Sequence, residues 1–235
     1  LQKLLPLLKA GRKPEWMARV QAFRSEEEGF LDHREGLTPR RAILTLNKHL
    51  GANTAVCTDV GQHQMWAAQS LYFQNARRFA SSGGLGTMGY GFGAAIGAAY
   101  GTGERSVLVT GDGSFGMNLN ELATAVRYNI PVVVIIMNNG VLGMVRQWQT
   151  LFYDKHYSNS VLERKTDFAA FARAFGADGE AVTTPEELDM ALARAFETEG
   201  PYIIDCKIDK DEFVLPMLPP GGSMDDIITK LEVEG

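Results

Sequence analysis

VLVTGDGSFGMNLNELATAVRYNIPVVVIIMNNGVLGMV, residues 107–145, is the stretch that decides the fold of this chain. It contains two short runs of mostly β-branched apolar residues, at 107–110 and 132–137. Such runs are typical of strands that are buried on both faces of a parallel sheet. Between them, residues 120–128 have apolar side chains at helical spacing. The stretch therefore predicts a strand, a helix and a second strand, with a turn after each strand.

Polar residues and glycine follow each apolar run at once. The first run is followed by GDGS at 111–114, and the second by NNG at 138–140. Asp112 and Asn139 are 27 positions apart, which is enough for one crossover helix and one strand. If the two strands are neighbours, both side chains lie at the carboxyl edge of the sheet, where such folds bind ligands.

The chemistry of these two turns indicates a metal and a phosphate. Carboxylate and amide oxygens are hard ligands of the kind that Mg²⁺ prefers. The glycine-flanked turn and the helix that follows it can receive a diphosphate. The GDG sequence alone fits an ordinary connection with a capping aspartate equally well. The second polar turn, at the right distance, favours the Mg²⁺-diphosphate site.

The remaining sequence alternates predicted strands and helices. Further strands are predicted at 55–58, 79–80, 180–182 and 201–208. Further helices are predicted at 39–50, from His63 through 69, at 94–100, 141–148 and 167–175, and from 184 to about 197. Residues 150–165 are predicted to form a loop, and the charged segment 25–36 a linker. The alternation predicts an α/β fold, a doubly wound and mostly parallel sheet with helices on both faces.

Composition excludes several classes of function. The chain has 235 residues, of which 45% are hydrophobic, and a net charge of −5, which is ordinary globular composition. We expect neither a nucleic-acid nor a membrane partner, because no basic cluster and no membrane-length apolar run occurs. Cys57 and Cys206 belong to predicted strands and to no CxxC pair, so we expect buried thiols in a reducing compartment.

A second glycine-rich segment is the main competing signal. GLGTMG at 84–89 fits the GxGxxG pattern of dinucleotide-binding proteins, and Glu104 lies 20 residues after Gly84. In that pattern, however, the acidic residue ends the second strand. Glu104 instead precedes the strand that leads to Asp112, which argues against a dinucleotide site.

The spacing of GDG and NN resembles the thiamine-diphosphate motif. The surrounding sequence, residues 117–153, resembles the large catalytic subunit of acetohydroxyacid synthase, also called acetolactate synthase. The resemblance covers nearly all of this chain but only the last of that enzyme's domains. It implies an enzyme of isoleucine and valine biosynthesis that decarboxylates pyruvate and joins the two-carbon unit to pyruvate or 2-oxobutanoate. Residues 37–208 would be its thiamine diphosphate and Mg²⁺ domain, after an extension (1–36) and before a C-terminal tail and helix (209–235).

The resemblance also implies which residues bind the cofactor. Asp112, the side chain of Asn139 and the main-chain carbonyl of Val141 would bind Mg²⁺. The residues that it places at the diphosphate are Gln62, His63, Gly113 and Ser114. Without the motif, His63 would be interpreted as an exposed histidine in the first turn of a helix.

The rest of the pocket follows from the same resemblance. Met88 would hold the cofactor in its bent shape, with the Gly86 carbonyl near its amino group. The residues that would line the substrate pocket are Met144, Val145 and Trp148. From the residues alone, Met88 fits simple core packing, and Met144 and Trp148 fit one buried helix face.

The resemblance places essential parts of the enzyme outside this chain. The glutamate that activates the cofactor would lie in the first domain of another subunit, and FAD would be bound mainly by a middle domain. We therefore expect no catalytic residue here and an inactive isolated chain, which lacks an initial Met and would be a piece of the enzyme. The implied partners are further large subunits, in a dimer or tetramer, and a regulatory small subunit, in the cytoplasm or in a plant plastid.

Two alternatives stay open. The chain could belong to another thiamine-dependent enzyme, such as glyoxylate carboligase or a 2-oxo acid decarboxylase. The segments QHQMWAAQ (62–69) and GMVRQWQ (143–149) argue against that alternative. It could also be a non-catalytic module for cofactor binding and association.

Overall fold

A computed structural model describes residues 3–7, 11, 13–29, 36–163 and 165–229. The chain divides into two compact units, Leu1–Arg34 and Glu35–Gly235. In the first unit, Leu5–Leu7 forms a 3-10 turn and Pro14–Gly29 forms helix α1. The prediction of a linker from residue 25 is therefore wrong for residues 25–29, while residues 30–35 lie outside the described residues.

The second unit is built on a six-stranded sheet in the order β2-β1-β3-β4-β6-β5. The strands are β1 (Ala55–Thr58), β2 (Phe79–Ser81), β3 (Ser106–Gly111), β4 (Val132–Asn138), β5 (Asp178–Val182) and β6 (Tyr202–Lys207). The helices are α2 (Pro39–Asn47), α3 (Gln62–Ser70), α4 (Tyr90–Thr102), α5 (Asp112–Asn118), α6 (Leu122–Arg127), α7 (Gly143–Phe152), α8 (Phe168–Phe175) and α9 (Pro185–Glu197). All neighbouring strands are parallel. The neighbouring, parallel β3 and β4 confirm the assumption that places Asp112 and Asn139 at one edge.

Helices cover both faces of the sheet. On β3, Val107 and Val109 pack in one buried cluster with residues of α2, α3 and α9, whereas Leu108 packs in a second cluster with residues of α4, α5, α6 and α8. Residues of β4 alternate in the same way. Each fully buried side chain of this size contributes roughly 1.5–3 kcal/mol to folding. The doubly wound fold is confirmed, and its two-sided burial explains why these strands are continuously apolar.

The caps of α8 and α9 agree with the sequence signals. The Thr184 hydroxyl accepts a hydrogen bond from the Glu187 N–H, and the Glu187 carboxylate accepts one from the Thr184 N–H. Pro185 occupies the first helical position. Asp167 caps α8 by accepting from the Ala170 N–H at 2.9 Å, and Gly176 ends that helix in a left-handed conformation. These contacts satisfy backbone groups that a helix end leaves without partners.

Several helices begin or end elsewhere than predicted, and α5, α4 and α7 differ most. Helix α5 begins at Asp112, where the sequence predicts a polar turn, and α4 begins at Tyr90 rather than at 94. Helix α7 continues to Phe152, into the predicted loop. The first two contain several glycines, which have low helix propensity, so local sequence conceals helices that packing against the sheet stabilises.

The C-terminal segment differs from its prediction as well. Among the described residues after β6, the only helical turn is a 3-10 turn at Met224–Asp226, and Met217 and Ile228 form an isolated antiparallel bridge. The predicted C-terminal helix does not occur up to residue 229. Residues 230–235 lie outside the described residues.

Candidate active site

The sheet reverses its winding direction between β1 and β3. From β1 the chain passes outward to β2, whereas from β3 it passes to β4 on the opposite side. In doubly wound sheets this switch point leaves a crevice at the carboxyl ends of the strands, where ligands bind. The polar segments after β1, β3 and β4 all lie at this crevice.

A cavity of about 200 Å³ occupies the crevice. The predicted cofactor residues among its lining are Gln62, His63, Gly86, Met88, Asp112, Gly113, Ser114, Asn139 and Val141. Met144 and Val145, two of the predicted substrate-pocket residues, line it as well. Side chains from four separate parts of the sequence thus meet around one space.

Asp112 and Asn139 lie at adjacent strand ends. Gly111, the last residue of β3, is the register partner of Met137, and β4 continues for only one further residue, to Asn138. Asp112 is buried in the first turn of α5. The amide oxygen of Asn139 accepts a hydrogen bond from the Val141 N–H at 3.1 Å, and its nitrogen donates to the Gln62 oxygen at 3.4 Å. These two contacts fix the orientation of the Asn139 amide.

The backbone of Val141 is oriented by an isolated antiparallel bridge to Val161. In this bridge the Leu142 N–H donates to the Ser160 carbonyl at 2.7 Å, and the Leu162 N–H donates to the Gly140 carbonyl at 2.9 Å. Because backbone groups alternate along an extended segment, the Val141 carbonyl points away from residues 160–162.

His63 is held between Gly61, which precedes α3, and Gly111, the last residue of β3. A Cβ atom at Gly61 would lie 2.8 Å from the ring Cε1, and one at Gly111 would lie 2.9 Å from Nδ1. Burial lowers the pKa of His63 to about 3, although a hydrogen bond with the Asp59 carbonyl opposes the shift. The ring is therefore neutral at physiological pH. Its Nε2 is buried and has no hydrogen-bond partner in the part of the chain that the structure describes.

Gln62 lies against the start of α7. A Cβ atom at Gly143 would lie 1.9 Å from the Gln62 amide oxygen and 2.8 Å from the Asn139 amide nitrogen. Nearby, the Ser114 hydroxyl donates to the Val60 carbonyl at 3.0 Å, joining the turns after β1 and β3. Any side chain at position 143 would displace the amide of Gln62, so glycine is required there by space.

A larger cavity of about 870 Å³ shares Met144 and Val145 with the first. Trp148 lines this larger cavity rather than the smaller one and packs edge-to-face on Phe152, with ring centroids 5.6 Å apart. The C-terminal segment closes it with Pro216, Met217 and Leu218. The structure therefore places the three predicted substrate-pocket residues beside the crevice, on one helix.

Residues 59–206 match the family described as thiamine pyrophosphate enzyme, C-terminal TPP binding domain. The chain belongs to this family. Thiamine pyrophosphate is another name for thiamine diphosphate, so the cofactor class predicted from the GDG and NN spacing is confirmed. None of the helices in the described residues of this TPP-binding domain is long and apolar enough to cross a membrane.

Curated relatives of this domain include acetolactate synthases. The domain is 38% identical to acetolactate synthase isozyme 2 large subunit of Escherichia coli (strain K12), over 98% of this chain and 43% of that protein. It is 40% identical to the mitochondrial catalytic subunit of Saccharomyces cerevisiae, over 97% of this chain and 34% of that protein. It is 41% identical to acetolactate synthase 1, chloroplastic, of Nicotiana tabacum, over 83% of this chain and 31% of that protein. The resemblance to this large subunit is confirmed, and the chain spans less than half the length of these relatives.

A solved structure supports the fold alone. The thiamine diphosphate-dependent 4-hydroxybenzoylformate decarboxylase of Rhodococcus jostii RHA1 superposes with a TM-score of 0.71 at 23% sequence identity. The match covers 78% of this chain and 34% of that one. The TPP-binding domain therefore shares its fold with part of that protein.

The donor groups in the crevice of the TPP-binding domain fit Mg²⁺ and a diphosphate. Among the described residues, no cluster of three or more His, Cys, Asp or Glu side chains could hold a metal. One carboxylate, one amide and one main-chain carbonyl leave the other positions of Mg²⁺ to phosphate oxygens and water, as this ion commonly requires. The partnerless Nε2 of His63 marks an open hydrogen-bonding position in the crevice, and it is an acceptor in the neutral ring, whose one N–H is given to the Asp59 carbonyl.

Asp59 is a buried polar residue of the TPP-binding domain that was not among the predicted site residues. Asp59, directly after β1, is buried and accepts hydrogen bonds from the Gly91 N–H and the Thr110 hydroxyl, each at 2.7 Å. Burial raises the pKa of Asp59, and these hydrogen bonds oppose the rise. Asp59 thus ties the start of α4 to the ends of β1 and β3. Its signal is a carboxylate directly after a buried strand, the position that Asp112 has after β3.

Proposed function

We propose that this domain binds thiamine diphosphate and Mg²⁺ within an acetolactate synthase, which decarboxylates pyruvate and joins the two-carbon unit to pyruvate or 2-oxobutanoate. The supporting observation is the single crevice at which the polar ends of β1, β3 and β4 meet. The relatives that share this sequence at 38–42% identity are named as acetolactate synthases.

Each part of the crevice has a role in this proposal. Mg²⁺ is held by Asp112, the Asn139 amide oxygen and the Val141 carbonyl. FAD is bound mainly by another domain of the enzyme. Gln62, His63, Gly113 and Ser114 hold the diphosphate, and the N–H groups at the start of α5 face the same charge. Because Asn139 and His63 are already oriented by neighbours, binding requires little reorganisation.

The cofactor's ring end has a different environment. When bound, thiamine diphosphate supplies the carbon nucleophile that attacks the 2-oxo acid. Met88 and Gly86 hold and orient its rings, while Met144, Val145 and Trp148 form an apolar wall for the substrate side chain. The group that activates the cofactor is proposed to come from another domain, in an oligomer of large subunits with a regulatory small subunit. We predict that the enzyme is located in the cytoplasm, or in a plastid if it comes from a plant.

Product analysis of the full-length enzyme with pyruvate tests this function. We expect 2-acetolactate, and 2-aceto-2-hydroxybutanoate when 2-oxobutanoate is added. Acetaldehyde without acetolactate would instead support the 2-oxo acid decarboxylase alternative. The 235-residue chain alone should bind the cofactor but form neither product. This expectation agrees with the alternative in which the isolated chain is a non-catalytic module for cofactor binding and association.

Calorimetry of the chain tests the metal assignment. We expect Mg²⁺-dependent binding of thiamine diphosphate, and Asp112→Ala should weaken it by at least about a hundredfold, because removing a charged ligand costs several kcal/mol. Asp178→Ala, which removes an exposed carboxylate of β5, is the matched control and should bind normally. Equal binding by Asp112→Ala and the wild type would refute the assignment.

A further inference from the structure

The C-terminal segment 212–217 pairs with a single side chain of α7. The amide oxygen of Gln147 accepts a hydrogen bond from the Val214 N–H at 2.9 Å, and its nitrogen donates to the Val214 carbonyl at 2.9 Å. The Gln147 nitrogen also contacts the Met217 sulfur at 3.3 Å. The side-chain amide thus pairs with Val214 as a neighbouring strand would pair with it.

The same amide is joined to the crevice. The Gln62 nitrogen donates to the Gln147 oxygen and to the Glu212 carbonyl, each at 2.8 Å. The Gln62 oxygen accepts from the Asn139 nitrogen at 3.4 Å. An unbroken series of hydrogen bonds therefore connects Asn139, Gln62, Gln147 and Val214.

Burial makes each of these contacts important. Gln62 is 4% and Gln147 3% exposed. A buried amide that loses its partner leaves polar groups without hydrogen bonds, and neighbouring bonds of a network strengthen one another. If the segment leaves Gln147, both buried amides lose partners and must reorient.

We propose that Gln147 is a positioning residue that couples docking of the segment 212–217 to the orientation of Gln62 and Asn139. This inference rests on the proposed function, in which those two residues hold the diphosphate and Mg²⁺. Coupling is reciprocal. Docking of the segment therefore strengthens Mg²⁺ binding, and binding of Mg²⁺ with thiamine diphosphate strengthens docking of the segment.

Gln69 provides a matched control. Its nitrogen donates to the Leu215 carbonyl at 3.2 Å, so it also attaches the segment to the domain. This contact is exposed and involves neither Gln62 nor Asn139. Loss of Gln69 weakens attachment of the segment without altering the amides in the crevice.

The test compares Gln147→Met with Gln69→Met in the full-length enzyme. The Mg²⁺ concentration at half-saturation is measured by calorimetry with saturating thiamine diphosphate, and thermal melts report folding. Trypsin cleavage after the exposed Lys210, followed by mass spectrometry, reports docking of the segment. In the wild type, the cofactor and Mg²⁺ should slow this cleavage.

We expect Gln147→Met to raise the Mg²⁺ half-saturation concentration about tenfold, a typical coupling magnitude, and to abolish the effect of the cofactor on cleavage. Gln69→Met should speed cleavage and keep the protection by cofactor, and it should raise the Mg²⁺ half-saturation concentration less than Gln147→Met does, because the series of amides stays intact. Should Gln147→Met fail to fold, Gln147→Asn, which keeps an amide on a shorter arm, should show the same two changes.

Two results separate the inference from the proposed function. If the wild type binds thiamine diphosphate and Mg²⁺ but the folded Gln147 variant has the wild-type Mg²⁺ half-saturation concentration, the coupling is refuted and the function stands. If the wild type itself binds neither, the proposed function is refuted, and the inference falls with it.

Discussion

At the scale of single residues, the crevice depends on positions where no side chain fits. A Cβ atom at Gly91 would lie 2.7 Å from the Asp59 nitrogen, and one at Gly143 would lie 1.9 Å from the Gln62 oxygen. These close approaches bring α4 and α7 directly onto the loops that hold the site. Both glycines therefore determine the shape of the crevice through contacts rather than through backbone conformation.

Substitution of Gly143 by alanine tests this dependence. The added methyl group must displace the Gln62 amide, so we expect Gly143→Ala to weaken thiamine diphosphate binding at least about tenfold, the cost of one lost buried hydrogen bond. Calorimetry in the presence of Mg²⁺ measures the change.

Gly97→Ala is the control for Gly143→Ala. Gly97 lies on an exposed turn of α4, and no atom lies within 4 Å of the position that an added methyl group would take. Alanine there should leave binding unchanged and stabilise the domain by about 1 kcal/mol, through helix propensity. Normal binding by Gly143→Ala would contradict the assigned role of this contact.

At the scale of helices and strands, the sequence predicts most of the fold. Every strand of the sheet is anticipated, because apolar runs that end in polar or glycine residues leave a local pattern. Helix α9 is anticipated because its capping box is local too. Helix α5 is not anticipated, because the two glycines within Asp112–Asn118 lower its helix propensity. Packing against the rest of the domain stabilises it instead.

The capping box of α9 gives a prediction at this scale. Thr184→Ala removes the acceptor of the Glu187 N–H and should lower the free energy of unfolding by about 1 kcal/mol. Urea denaturation measures it. Thr102→Ala, which removes an exposed hydroxyl at the end of α4, should change stability by less than about 0.5 kcal/mol. Equal effects of the two substitutions would show that the cap contributes nothing specific.

At the scale of the whole molecule, long-range contacts assemble the site. The sequence alone does not reveal these contacts. The motif resemblance names the cofactor residues in advance, and all of them line one cavity. Gln147, by contrast, meets Gln62 across 85 positions of sequence. No local pattern records such a contact, because it depends on the final placement of α3, α7 and the C-terminal segment.

Buried His63 makes the stability of the whole domain depend on pH. Its pKa is about 3 in the folded chain against an ordinary 6.5, so between these values the unfolded chain binds a proton that the folded chain does not. This contribution to stability is fully present above pH 6.5 and is lost as the pH falls toward 3. The slope is about 1.4 kcal/mol per pH unit.

Urea denaturation without cofactor, at pH 7 and pH 5, measures this effect. The wild type should lose about 2 kcal/mol more than His63→Gln over that interval. His156→Gln, which removes an exposed histidine, should behave as the wild type does. An identical loss in all three proteins would refute the assignment to His63.

The sheet order has a consequence for synthesis of the chain on the ribosome. Strand β6 lies between β4 and β5, although it is the last of these six strands to be made. Until Tyr202–Lys207 emerges, β4 offers a bare apolar edge, and β5 lacks the neighbour with which it pairs. Such edges recruit strands from other chains. Chains truncated before residue 202 should therefore aggregate rather than accumulate as a smaller soluble domain, and the newly made polypeptide depends on β6 for solubility.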